Sequence, residues 1–106
     1  MATRSDMRNP TDTDGIEADR IAEEQARQLK FRQETEDIKW LMAHKQGRRI
    51  VYRLFELTGV HRTSFNTNSM VTSFNEGQRN VGLKLLEDVT IACPEQYVLT
   101  LKEGKQ

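Results

Sequence analysis

The stretch KQGRRIVYRLFELTGV, residues 45–60, decides how this chain folds. Ile50, Val51, Leu54, Phe55 and Leu57 recur at helical spacing, so the segment reads as a helix over 45–58 with one apolar side. Gly47 marks its start, and Gly59 stands where a C′ glycine in the left-handed region closes a helix. Upstream, ETEDIKWLMAH (residues 34–44) puts Ile38, Leu41 and Met42 on one helical face with Trp40 beside them. Before it, Asp14 is a suitable N-cap with Glu17 in the capping-box position, opening a helix through IEADRIAEEQARQLKFRQ. Ile21, Ala22, Ala26 and Leu29 make only a narrow stripe there, as expected of a helix that leans on a partner. A bend is expected near residues 32–35. Residues 1–14, MATRSDMRNPTDTD, are polar and read as a flexible N-terminal arm.

Downstream of Gly59, VHRTSFNTNSMVTSF is rich in Ser, Thr and Asn without a clean period, and residues 59–73 read as a loop. Such a loop is longer than compact domains usually carry without a purpose. Periodicity resumes in NEGQRNVGLKLLEDVTIA, where Val81, Leu85, Leu86 and Val89 predict a helix over 74–92. Pro94, at an N1-like position, opens a short helix over 95–103 that should bury Tyr97, Val98 and Leu101. The fold class is therefore all-α: a small bundle of about four or five helices. It comprises the flexible arm (1–14) and a helical domain (15–106) that begins with an acidic helical arm (15–44). The helix of 45–58 should pack on that of 74–92, with Trp40 closing one end.

Composition sets limits on function. Of 106 residues only 36% are apolar, against about 45–50% in an ordinary globular domain. Charged residues are 30%, and mean hydropathy is −0.74. No stretch approaches the roughly 18 apolar residues of a membrane span. Cys93 is the only cysteine, which excludes an intrachain disulfide framework. With His44 and His61 it falls short of the roughly four ligands of a tetrahedral zinc site. The first residues lack an apolar signal region, so the protein is expected to be cytoplasmic in origin. No cofactor or metal is expected.

Catalytic constellations are weak. His61 lies near Ser64 without an orienting carboxylate, an arrangement common by chance. Cys93 has no basic neighbour in sequence to lower its pKa and reads as a small buried hydrophobe. The pairs Glu23/Glu24, Glu36/Asp37 and Glu87/Asp88 stand on ordinary polar helix faces. No phosphate-cradling glycine loop is present. The expectation is a protein that is not an enzyme.

Charge is segregated. Residues 1–44 carry seven basic and ten acidic side chains, a net −3. Residues 45–84 carry seven basic and two acidic, a net +5, and residues 85–106 are at −2. Within the basic middle, Arg49 and Arg53 are four apart on one helix face and repel unless something negative sits there. For Arg48, Arg49 and Arg53 three counterparts are open: nucleic-acid phosphate, an acidic protein surface, or internal pairing with the acidic first helix or with Glu56. Trp40 reads first as a packing anchor and second as an interface anchor.

The segment FNEGQRNVGLKLL, residues 74–86, is the most distinctive. Gly77 and Gly82 each cost a helix about 0.8–1.0 kcal/mol relative to Ala, and Gly82 would let another helix approach closely. Asn75, Glu76, Arg79 and Asn80 form a polar cluster able to tie down the preceding loop, with Glu76 and Arg79 spaced for an i, i+3 ion pair. The segment reads first as a structural clasp, in which case Gly77 is needed for folding, and second as a partner-binding surface.

DIKWLMAHKQGRRIVYRLFELTGV (37–60) followed by TSFNEGQRNVGLKLLEDV (72–89) resembles a small family of tailed-phage proteins named after a product of a Bordetella podophage. The residues that carry the resemblance are Trp40, Leu41, Gly47, Arg48, Arg49, Gly59, Phe74, Glu76, Gly77, Arg79 and Asn80. It covers about residues 37–100, roughly two-thirds of the chain. It implies a virion or virion-assembly component, made in the host bacterial cytoplasm and residing in the virion. The expected function is a non-catalytic structural protein that binds the portal or head–tail connector, or acts as an internal ejection component, in multiple copies. The alternatives are a head-assembly factor absent from the mature particle and a nucleic-acid-binding module. Candidate residues for partner binding or the clasp are Trp40, Gly47, Arg48, Arg49, Arg53, Phe74, Asn75, Glu76, Gly77, Arg79 and Asn80.

Overall fold

Apolar residues at helical spacing, closed by a glycine that alone adopts a positive φ without strain, give the helix of residues 45–58 its bounds. In the computed structural model, which describes residues 13–106, this helix is α2 (Lys45–Thr58). Gly59 ends it at φ 74°, and its N–H bonds the carbonyls of Phe55 and Glu56. Before it runs α1 (Thr13–Met42); after it come α3 (Ser69–Ala92) and α4 (Pro94–Gly104). The described residues are all-α, without a strand. The expected flexible arm at 1–14 lies outside the described residues except for Thr13 and Asp14, which belong to the first turn of α1.

Three sequence expectations need correcting here. The helix does not break off at residues 32–35, since α1 is helical throughout its 30 residues. Every residue from 32 to 35 is a tolerable helix former, and no Gly or Pro interrupts the ladder. The loop expected over 59–73 ends at Asn68, so the following helix starts at Ser69 rather than 74. Asn68 is its cap: the side-chain oxygen accepts from the N–H groups of Met70 (2.9 Å) and Val71 (3.3 Å). Finally, Val98 is half exposed rather than buried, while Tyr97 packs against the core.

The chain divides into two units, residues 1–34 and 35–106. The described part of the first unit is helix alone. Its surface carries i, i+3 pairs, Arg20 with Glu17 and Arg27 with Glu24 (2.6 Å), a spacing at which opposite charges favour a helix. The hydrogen bond and charge of Arg27 hold the Glu24 carboxyl below the usual carboxylate range.

The second unit holds the core: Met42, Val51, Phe55, Val60, Val89 and Cys93, flanked by Ile38, Leu41, Leu83, Leu85, Leu86, Ala92 and Tyr97. Helices α2, α3 and α4 pack against one another around it. Phe55 is fully buried and meets His61 and Tyr97 edge-on, with ring centroids 5.9 and 6.0 Å away. Gly82 allows the α2 end to approach α3: a Cβ there would lie 2.1 Å from Thr58 Oγ1 and 2.3 Å from Val60 Cγ2. Gly47 serves the same purpose at the α1–α2 corner, where a Cβ would lie 2.0 Å from the Leu41 carbonyl oxygen. It sits in the first turn of α2, so its use is close packing rather than helix initiation.

Candidate functional site

Arg48, on α2, holds three helix ends together. Its Nε donates to Glu103 Oε1 at 2.6 Å, and its Nη1 donates to the Met42 carbonyl at the end of α1, 2.9 Å away. Both charged side chains are largely withdrawn from water, at 12% and 15% exposure. Glu103 Oε2 is buried without a hydrogen-bond partner among the described residues. The counterpart of Arg48 is thus internal, but it is a residue of α4 rather than the first helix or Glu56. The same corner is tightened by Gly104, where a Cβ would meet the Tyr52 ring at 2.2 Å. Partial burial and Glu56 push the Tyr52 phenol up.

Arg49 and Arg53 project from the exposed side of α2 and have no ion-pair partner among the described residues. With Ile50, Tyr52, Arg48 and Glu103 they line an open cleft of about 400 Å³. Next to it, Ile50, Leu54 and Leu57 stand exposed at i, i+4 and i+7, one stripe of α2 that the core leaves uncovered. The apolar arc of α2 is therefore wider than the footprint of its neighbours: Val51 and Phe55 are buried, and the other edge faces solvent.

Trp40 does not close the end of the bundle. It is 68% exposed, its ring lies 4.9 Å from that of His44, and His44 Nδ1 donates to the Trp40 carbonyl at 2.7 Å. An exposed Trp of this kind is an available anchor for a partner.

The expected clasp over 74–80 is only partly formed. Asn75 Nδ2 donates to the Ser64 carbonyl (3.3 Å), which does tie the loop to α3. The remaining work falls to residues that the sequence reading did not single out. Asn66 N–H donates to Thr72 Oγ1 and Thr72 Oγ1 donates back to the Asn66 carbonyl (2.9 and 3.0 Å), while Asn68 N–H donates to Asn66 Oδ1. Repeated Asn and Thr within a polar run is the signal that could have found them. Glu76 and Arg79 do not pair, Asn80 is exposed, and Phe74 is 66% exposed. Gly77 faces open space, with nothing within 4 Å of where a Cβ would stand, so folding does not need a glycine there.

Cys93 is a free, buried thiol, and burial raises its pKa. His61 lies edge-on to Phe55 and tilted against Tyr97 rather than pairing with Ser64. Among the described residues no group of His, Cys, Asp or Glu is placed to hold a metal ion, and no described helix is long and apolar enough to cross a membrane. On α2 the exposed aliphatic side chains stand beside arginines that have no ion-pair partner among the described residues.

Comparison with curated proteins and with solved structures gives no match. A protein family does match, over residues 38–102, a span that begins just inside the second unit and includes α2, α3 and most of α4. On that match the chain belongs to the family described as Bbp19-like phage protein.

Proposed function

We propose that this phage protein is a non-catalytic structural component of the virion that binds the portal or head–tail connector, or an internal ejection component, in multiple copies. One observation carries the reading. Sixteen large hydrophobic residues are exposed among the described residues, whereas six make up the buried core. Isolated exposed apolar residues are ordinary, but Ile50, Leu54 and Leu57 share one helix face, and exposed Trp40 adds an anchor. A subunit whose apolar surface is completed by neighbours has this character. The opposite net charges of residues 1–44 and 45–84 suit repeated contacts between unlike surfaces.

Quantitative mass spectrometry of purified particles, before and after genome release, tests the proposal. A fixed copy number in both states is expected for a connector component, and loss on release for an ejected protein. Absence from both states refutes a virion role and leaves a head-assembly factor. The unpaired Arg49 and Arg53 favour one competing reading, a nucleic-acid module. That reading requires DNA affinity that falls steeply with salt, and a flat salt response refutes it.

A further inference from the structure

Where the end of α2, the following loop and α3 meet, the second unit encloses a polar nook of about 100 Å³. Arg62, Thr63 and Ser64 line it from the loop, and Asn75, Gln78 and Arg79 line it from α3. All three α3 residues belong to the FNEGQRN segment, whose clasp role is limited to one hydrogen bond of Asn75. Arg79 Nε is buried and has no hydrogen-bond partner among the described residues. An N–H of a charged group that is buried and left unmatched is costly, so it calls for a counterpart.

The geometry points to a binding site for a small tetrahedral oxyanion, phosphate, with Arg79 as its principal donor. Arg79 is not the only donor among the lining residues. Thr63 Oγ1 accepts from the Phe65 N–H, which leaves its own O–H to donate. Arg62 uses one nitrogen on the Glu56 carbonyl (2.6 Å) and keeps further N–H groups. Gln78 adds an amide. The C-terminal end of α2 opposes an anion through its helix dipole. Arg62, bonded to one of its last carbonyls, offsets that effect, and the net +5 of residues 45–84 favours an anion over the region as a whole. Donors arriving from two elements suit several oxygens around one centre better than the flat edge of a carboxylate, which an arginine fork binds from one side. The source is either free phosphate or a phosphodiester of nucleic acid. The inference does not depend on a virion role.

The test is an NMR titration of the isotopically labelled full chain with inorganic phosphate at constant ionic strength. The Arg79 Nε–H and the amides of Ser64 and Asn75 are followed. Saturable shifts of these signals are expected, absent with chloride alone. Gln78→Glu, a change at an exposed position that puts negative charge beside the nook, should weaken binding about tenfold or more with the fold intact. Arg79→Gln should abolish it, and if that variant does not fold, the Gln78→Glu result stands in its place. A short DNA duplex that displaces phosphate from the same signals assigns the source to nucleic acid; a duplex that leaves them unmoved assigns it to free phosphate. An Arg79 signal that phosphate never moves overturns the inference and leaves water as the occupant. A glutamate-rich peptide that shifts it where phosphate does not also overturns the inference, in favour of a protein carboxylate.

Discussion

Arg48→Ala probes the joint that holds the second unit together. The substitution removes the partner of Glu103, whose side chain is only 15% exposed and whose Oε2 already lacks a hydrogen bond among the described residues. Orphaning one member of a buried ion pair costs about 3–5 kcal/mol, and the residual exposure here argues for the low end, about 3 kcal/mol. Loss of the bond to the Met42 carbonyl adds about 1 kcal/mol. The sum, about 4 kcal/mol, is a large share of the roughly 5–15 kcal/mol that separates a native domain from its unfolded chain. In urea, with a slope of about 2 kcal/mol per molar, the unfolding midpoint should fall by about 2 M. The paired change Arg48→Met with Glu103→Leu should recover most of that loss, because it removes both charges together. Circular dichroism across a urea series measures both. If Arg48→Ala costs under about 1 kcal/mol, the pair behaves as a solvent-exposed one and the joint reasoning is wrong.

Other substitutions separate the glycines and the thiol by role. Gly82→Ala should destabilise by about 1–3 kcal/mol in the same assay, since its Cβ has no room beside Thr58 and Val60. Gly77→Ala, with open space around it, should instead stabilise by about 0.5–1 kcal/mol, and a loss of stability there would revive the clasp reading. Native Cys93 should resist alkylation at neutral pH and react at once in urea, because burial disfavours the thiolate; equal rates would show the thiol is accessible. The Glu24 carboxyl is depressed in the folded helix, so the support it gives is present above the ordinary carboxylate pKa and is lost as pH falls through the lowered value. Hydrogen-exchange protection factors in residues 13–34, taken relative to the intrinsic rate at each pH, should accordingly fall on acidification through that range, and protection independent of pH would count against the side-chain pairs as its source.

Several features were legible in the chain because their cause is local. α2 is bounded by apolar spacing and by Gly59, both visible in sequence, and Pro94 marks the start of α4 by its fixed φ. The exposure of Trp40 is also legible in the spacing, against the expectation from its residue type. At about 100° per residue it stands roughly 200° from Ile38, while Leu41 and Met42 flank Ile38 closely, so spacing alone sets it opposite the core. Residue type, a large aromatic, had outweighed position. The Asn68 cap was hidden by its surroundings, since a polar run offers many oxygens and only geometry selects one. The Arg48–Glu103 pair spans 55 positions, and no local pattern announces it. The same holds for the nook: Arg62 and Arg79 belong to different elements and share it only because Gly82 lets α2 and α3 approach.

Energetic reasoning then bears on why so much apolar surface is left uncovered. In the first unit, the described helix carries Ile16, Ile21, Leu29 and Phe31 exposed, and its solvent-exposed ion pairs contribute little to stability. Propensity and pairing alone leave a polar helix marginal in water. Burying even two of those side chains against a partner, at about 1.5–3 kcal/mol each, exceeds what all its ion pairs contribute. In the second unit the stripe of Ile50, Leu54 and Leu57 offers a similar gain, beside arginines that would discriminate against a basic neighbour and favour an acidic one. Apolar contact would then supply the bulk of the association energy, and the segregated charge would select which surfaces meet. Replacing Leu54 and Leu57 by Gln should therefore lower partner affinity more than replacing Arg49 and Arg53, while the arginine changes should flatten its salt dependence.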